Sequence, residues 1–152
     1  SGTAVAGGHS YGWNLTQLYR PYGLHFDEPT NSLIIANSNA QNVVRWTLGA
    51  SNWSLLAGSV NGIPGYQATL LSYPMDVTMD PMANLYIADR NNHRIQFVTA
   101  DFTTANTIAG ITSMFGNNAT HLRSPRGIFL DNQLNLYVAD SQNHRIQLFV
   151  RY

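Results

Sequence analysis

The chain contains neither cysteine nor lysine. Without cysteine there is no disulfide framework, no thiolate nucleophile and no thiolate metal site. Without lysine there is no Schiff-base chemistry. Charge is scarce as well: eight Arg stand against seven Asp and one Glu, for a formal net charge of zero at pH 7. A neutral chain lacks the cationic surface that phosphate neutralisation requires, which argues against a nucleic-acid partner. No apolar run approaches the roughly 18 residues of a membrane-spanning helix, and no signal-peptide pattern is visible. Ser1-Gly2 stand where an initiator Met is expected and read as a processing or cloning scar. With 152 residues and 44% hydrophobic content, the chain is long enough for one domain with a buried core.

What is present is a repeat. Pro21, Pro74 and Pro125 recur at steps of 53 and 51 residues. Each opens one pattern: an apolar strand, an Asp, a second strand, and a polar turn leading into a third. Tyr73–Val98 and Ser124–Val150 are the clearest copies, and Arg20–Leu48 is more divergent. A fixed period of this length signals a stacked or radial array. Alternation in Met75–Asp80 and Arg126–Asp131, matched by Tyr22–Asp27, predicts a strand that starts after Pro and stops at an acid. Leu85–Asp89, Leu136–Asp140 and Leu33–Asn37 predict a second strand buried on both faces. Third strands are expected over Arg94–Thr99, Arg145–Val150 and Asn42–Leu48. Fourth strands are expected over Trp53–Gly58 and Asn106–Gly110, both ending in Ala-Gly, an ending repeated at Val5-Ala6-Gly7. The long connections share a spacing: Gly12, Gly65 and Gly116 precede the repeat Pro by nine residues, and Leu18, Leu71 and Leu122 by three. Such regularity predicts loops that pack alike, with each Leu tucked between units.

Four short antiparallel strands per period of about 50 residues describe a propeller blade. Residues 125–149 run Pro-x-Gly to Asp131, then Tyr-Val-Ala-Asp, then Asn-His-Arg-Ile-Gln. In these motifs the chain resembles the NHL-repeat β-propeller family. Residues 74–97 are similar, with Asp76 where Gly is expected. The first unit keeps Pro21, Gly23 and Asp27 but has Asn37 for Asp and Gln41-Asn42 for His-Arg. The resemblance implies an all-β chain of three four-stranded antiparallel blades, a single half-propeller over residues 1–152. Its blades are expected at 8–58, 59–110 and 111–152, the last lacking its outer strand, with 1–7 supplying an outer strand that completes a last blade. Propellers have roughly four to eight blades. Three are therefore expected to close to six, either as a homodimer with Thr3–Gly7 acting in trans or with the remainder of a longer propeller.

Most acids fall at repeat positions. Asp27, Asp80, Asp131, Asp89 and Asp140 sit at strand ends, where a carboxylate fixes a turn through backbone N–H groups. His93-Arg94 and His144-Arg145 recur at one register, and a general acid or base has no reason to repeat in every blade. Their expected role is structural, tying the strand-two Asp to the start of strand three by a charge-assisted hydrogen bond. His9, His25 and His121 have no metal-site spacing and read as surface or loop residues. Asp76 departs from the repeat at the start of a strand that lines a propeller channel. Tyr22, Met75 and Arg126 share the position after the repeat Pro yet differ in chemistry, which fits a ligand-reading channel mouth and equally fits drift. Trp13, Tyr66, Met114 and Phe115 on the long loops offer contact area to a peptide, or cover seams between blades. Sequons at Asn14, Asn52 and Asn118 lean slightly towards an extracellular setting.

The resemblance implies a non-enzymatic binding or scaffold module whose loops and channel mouth recognise a protein, peptide, carbohydrate or small polar ligand. The alternative is a metal-dependent propeller enzyme of the lyase or lactonase kind, which gathers carboxylates around a central ion. No cofactor or metal site is implied, and neither nucleic acid nor membrane is an expected partner.

Overall fold

The computed structural model describes residues 1–151. They form eleven strands: β1 (Pro21–Asp27), β2 (Ser32–Asn37), β3 (Asn42–Thr47), β4 (Ser54–Gly58), β5 (Pro74–Met79), β6 (Leu85–Asp89), β7 (Arg94–Val98), β8 (Ala105–Gly110), β9 (Pro125–Leu130), β10 (Leu136–Asp140) and β11 (Arg145–Phe149). They pair in sequence order into antiparallel sheets, β1-β2-β3-β4, β5-β6-β7-β8 and β9-β10-β11. Among the described residues the chain is all-β apart from single 3-10 turns, and no helix there is long and apolar enough to cross a membrane. Tyr152, the last residue assigned to the third blade, lies outside the described residues.

The expected strands fall within a residue or two of those found. β1, β5 and β9 start at the repeat Pro itself because proline has no N–H to give a ladder and is tolerated at a strand's first residue. Between the second and third strands, a 3-10 turn ends on a left-handed residue: Gln41 at φ 59°, His93 at 56° and His144 at 54°. β4 and β8 end on Gly58 and Gly110, at φ 88° and 79°. A Cβ at Gly110 would collide with the His93 carbonyl oxygen and reach within 3.0 Å of the Arg94 Cα, so glycine alone closes that edge of the sheet.

The sheets stack face against face, with first strands adjacent: β1 lies beside β5, and β5 beside β9. Their seams form the core. Ile34, Ala36, Val43 and Leu56 of the first blade pack on Val77, Leu85, Ile87 and Val98 of the second. Tyr86, Ala88, Ile95 and Ala109 of the second pack on Leu136 and Val138 of the third. The loop leucines are wedges, as their spacing predicts: Leu71 is buried in the first seam and Leu122 in the second. Leu18 packs on Ile35, Val44, Trp46 and Trp53 at the free side of the first blade.

Burial departs from expectation in one strand. β6 is buried along its whole length, whereas β10 alternates between buried and half-buried. The reason is neighbourhood: β6 has a blade on each side, and β10 has one only on the side of β6. Residues 1–7 form no strand within the described chain.

Candidate functional site

Two regions carry the residues singled out by sequence: the turn after each second strand, and the start of each inner strand. At the turn of the second blade, the Asp89 carboxylate is fully buried and accepts hydrogen bonds from Ser72 N (2.7 Å), Asn92 Nδ2 (2.8 Å) and Arg94 Nε (2.8 Å). Burial pushes its carboxyl up, against the downward pull of the Arg94 guanidinium and these donors. Asp140 repeats the pattern with Arg123 N, Asn143 Nδ2 and Arg145 Nε. In the first blade Asn37 Oδ1 accepts the equivalent backbone bond, from Tyr19 N at 2.6 Å, and Asn42 stands where the other blades have the arginine.

The arginines do more than pair with an acid. Arg94 donates to the carbonyls of Tyr66, Gln67 and Leu70, and Arg145 to those of Asn117, Asn118 and His121. Each guanidinium thereby fastens the long loop to its own blade. His93 acts elsewhere, between blades, whereas His144 is exposed. His93 Nδ1 accepts a hydrogen bond from Ser124 N (3.1 Å), just before β9. In the first blade the same service comes from Gln41, whose Oε1 accepts from Tyr73 N (2.8 Å) just before β5. Both donors sit at positive φ, 51° for Ser124 and 52° for Tyr73, so the latch holds a strained residue in place. Burial and the neighbouring Arg123 and Arg90 charges lower the His93 pKa, which keeps the ring neutral and able to accept. Sequence reasoning joined His to the Asp–Arg pair and missed this latch. The signal was there in Gln41, an acceptor at the same register.

The acids ending the inner strands behave as turn-fixing groups in two blades. Asp80 accepts from Met82 N, Asn84 N and Asn84 Nδ2, and Asp131 from Gln133 N, Asn135 N and Asn135 Nδ2. Asp27 bonds instead to the Thr30 hydroxyl and to Arg45. His25 lies in β1 rather than in a loop.

At the strand starts, Asp76 is committed to the scaffold. Its carboxylate accepts from Val77 N (2.9 Å) and from Ile128 N (3.0 Å) of the next blade, bridging β5 to β9. Burial raises its pKa, the largest influence on it. On the other side the side chain lies over Gly23, where a Cβ would fall 2.8 Å from the Met75 carbonyl oxygen and collide with the Asp76 side chain. Gly23 and Asp76 are therefore complementary halves of one contact. Tyr22 and Arg126 are exposed, with Tyr22 at 57%, and Met75 is half-buried beside the Ser38 hydroxyl at 3.8 Å.

The loop aromatics cover seams and face solvent together. Trp13 lies directly over Gly62 of the next loop, edge-on to Tyr19, and remains 51% exposed. Phe115 packs edge-on to His93 beneath the Arg123 guanidinium, 5.1 Å from the ring centre. Tyr66 and Met114 are exposed. So are Asn14, Asn52 and Asn118, and the Asn118 Oδ1 accepts from Thr120 N and His121 N. Among the described residues, no three His, Asp or Glu side chains group as a metal site requires.

Stacked antiparallel sheets of four, four and three strands, with inner strands adjacent and a loop face latched blade to blade, define a β-propeller segment. The NHL-repeat family model matches residues 71–96 and 122–149, the second and third blades. The chain thus carries NHL repeats in these two blades. It is 32% identical over 151 residues to the human NHL repeat-containing protein 2, a match covering 85% of this chain and 20% of that protein. The chain thus spans about a fifth of that relative's length. An auxiliary nutrient binding protein from Bacteroides thetaiotaomicron superposes with a TM-score of 0.67 at 21% identity, covering 82% of this chain and 36% of the other. A putative gluconolactonase superposes with a TM-score of 0.68 at 15% identity, covering 88% and 46%. These likenesses are of fold.

Proposed function

We propose that this chain is a non-enzymatic recognition module, part of a six-bladed ring, that holds a protein, peptide or carbohydrate ligand at the mouth formed by its inner strands and long loops. One observation carries the reading. Around the repeat Pro, nearly every position is spent on the scaffold, yet Tyr22, Met75 and Arg126 occupy a single register, differ in chemistry and are at least partly open to solvent. An aromatic, a thioether and a guanidinium side by side suit a polar ligand with one apolar face. The auxiliary nutrient binding protein of like fold is consistent with a binding role.

A metal-dependent lactonase or lyase is the competing reading, favoured by the likeness to the putative gluconolactonase. The two separate in one set of measurements. Labelled protein and a Tyr22→Ala/Arg126→Ala variant, with matching melting temperatures, are screened on glycan and peptide arrays. Ligands held by the parent chain and lost by the variant support recognition at this mouth. Identical binding by both, or lactone hydrolysis that depends on added calcium or zinc, overturns it.

A further inference from the structure

A net charge of zero conceals a division between the two ends of the blades. The end with the repeat Pro, the long loops and the turns after the second strands carries six Arg (Arg20, Arg90, Arg94, Arg123, Arg126, Arg145) against three Asp (Asp76, Asp89, Asp140), a net of +3. The opposite end carries five acids (Asp27, Glu28, Asp80, Asp101, Asp131) against Arg45 and Arg151, a net of −3. The three acids of the first group are spent. Asp89 and Asp140 are buried against Arg94 and Arg145, and Asp76 is taken up by two backbone N–H groups. Among the described residues, the other four arginines at that end have no acid partner.

Three of them converge on the seam between the second and third blades. In the first seam, the residue after the second strand meets the residue after the next blade's Pro, with Ser38 Oγ 3.8 Å from Met75 Sδ. One repeat on, those two registers hold Arg90 and Arg126. Arg123, at the register of Ser72, lies over Phe115, which is itself edge-on to His93. Next to burial, the Arg123 and Arg90 charges are what lower the His93 pKa, so both guanidiniums stand near that ring. Arg90 Nη1 donates to Asn91 Oδ1 at 3.1 Å, and its Nε has no partner among the described residues. Like charges brought together repel, and the first seam, built with Ser38, Ser72 and Met75, shows that the repeat does not need them. An anion set among them turns the repulsion into attraction.

Guanidinium groups offer only donors, so the guest must be rich in acceptors and carry negative charge. A nucleic-acid strand would need the cationic track to continue, and the uncharged registers of the first seam break it. A saccharide would need acceptors for its hydroxyl protons, and the carboxylates at this end are already committed. Beside the arginines lie Met114 and Phe115, 57% and 62% exposed. Arginine, methionine and aromatic rings together make the composition of a protein-binding patch. We infer that this seam docks an acidic peptide segment of a partner protein, its carboxylates held by Arg90, Arg123 and Arg126 and its apolar side chains laid on Met114 and Phe115. This rests on the reading of the mouth as a recognition surface and fixes the class and the position of its guest.

Fluorescence anisotropy of the 152-residue chain with labelled peptides alternating Glu with Leu, Met or Tyr tests it, with the same peptides carrying Gln for every Glu as controls. The Glu peptides are expected to bind about tenfold more tightly than the Gln peptides, and more weakly as salt rises. Arg90→Gln/Arg126→Gln, with an unchanged melting temperature, should weaken them about tenfold. Arg126→Gln alone, a change at an exposed side chain, should cost about fivefold and serves if the double variant is unstable. Arg151→Gln, at the opposite end of the blades, should leave binding unchanged. Equal binding of Glu and Gln peptides, or binding indifferent to the Arg90 and Arg126 changes, overturns the inference and leaves a recognition mouth of another kind. Oligouridylate or polygalacturonate held more tightly than the Glu peptides at the same salt overturns it in favour of a nucleic acid or an acidic glycan. Failure of every probe to bind also overturns it, and the array screen with Tyr22→Ala/Arg126→Ala then decides the broader reading separately.

Discussion

At the scale of single residues, the repeat is held by buried polar groups whose cost is met only when every partner is present. Asp89 and Arg94 are both almost wholly buried, with side chains at 0% and 2% exposure. Removing one leaves the other uncompensated, so Asp89→Ala should destabilise the chain by about 3–5 kcal/mol. Asp140 is as buried, but its Arg145 side chain is 29% exposed and water can take up the orphaned charge. Asp140→Ala should therefore cost less, about 1–3 kcal/mol. Denaturant unfolding of the two variants checks the order, and an equal loss would contradict it. His93 supplies a pH dependence. Its folded pKa lies below the ordinary 6.5, so the unfolded chain binds more protons in the window just under that value. Stability is complete above 6.5 and declines as pH falls from there towards the folded pKa. His93→Gln keeps an acceptor for Ser124 N, as Gln41 does for Tyr73, and removes the titration. Melting curves of the variant should be flatter with pH across that window than those of the parent.

At the scale of elements, the strands were legible and the cross-links between them were not. Period-two alternation after each Pro, the apolar runs of the second strands, the polar turns into the third and the Ala-Gly endings of the fourth placed all eleven strands, because strand burial writes itself into local hydrophobic pattern, while the same ending at Val5-Ala6-Gly7 forms no strand among the described residues. The loop wedges were legible for a related reason: a Leu at constant distance from Pro implies a constant pocket. Arg94 and Arg145 binding loop carbonyls more than 20 residues away left no local trace. Neither did Asp76, whose bond to Ile128 N crosses 52 residues; the sequence showed only that it broke the pattern. The wedges also give a graded prediction. Leu71 is 1% exposed inside a sealed seam, so Leu71→Ala should cost about 2–5 kcal/mol, the sum of lost transfer and a residual cavity. Leu18 is only half-buried at an unsealed flank, and Leu18→Ala should cost distinctly less in the monomer. Chemical denaturation of the two variants at low protein concentration tests this, and similar losses would mean that the flank is already closed.

At the scale of the whole molecule, a radial array distributes its stability over seams, and its end blades are the weakest part until they meet. Joining two copies head to tail makes their meeting intramolecular. The connection from Phe149 of the first copy to Thr3 of the second would then contain Val150, Arg151, Tyr152, Ser1 and Gly2, five residues. In the register that matches Gly7 with Gly58 and Gly110, the same stretch is Thr47–Trp53 in the first blade and Thr99–Ala105 in the second, seven residues each. A fusion through a two-residue linker therefore supplies the loop length that the blade uses elsewhere. Closure would proceed at an effective concentration in the millimolar range rather than at the concentration of free chains. The fused chain should run as a compact monomer of twice the single-chain mass, and its melting temperature should not vary with concentration. The unfused chain, with both end blades open, should melt lower. Calorimetry of both across a hundredfold dilution is the measurement. A fused chain that melts no higher than the single one, or that itself dimerises, would mean that the two flanks do not mate in the register that β1 through β11 define.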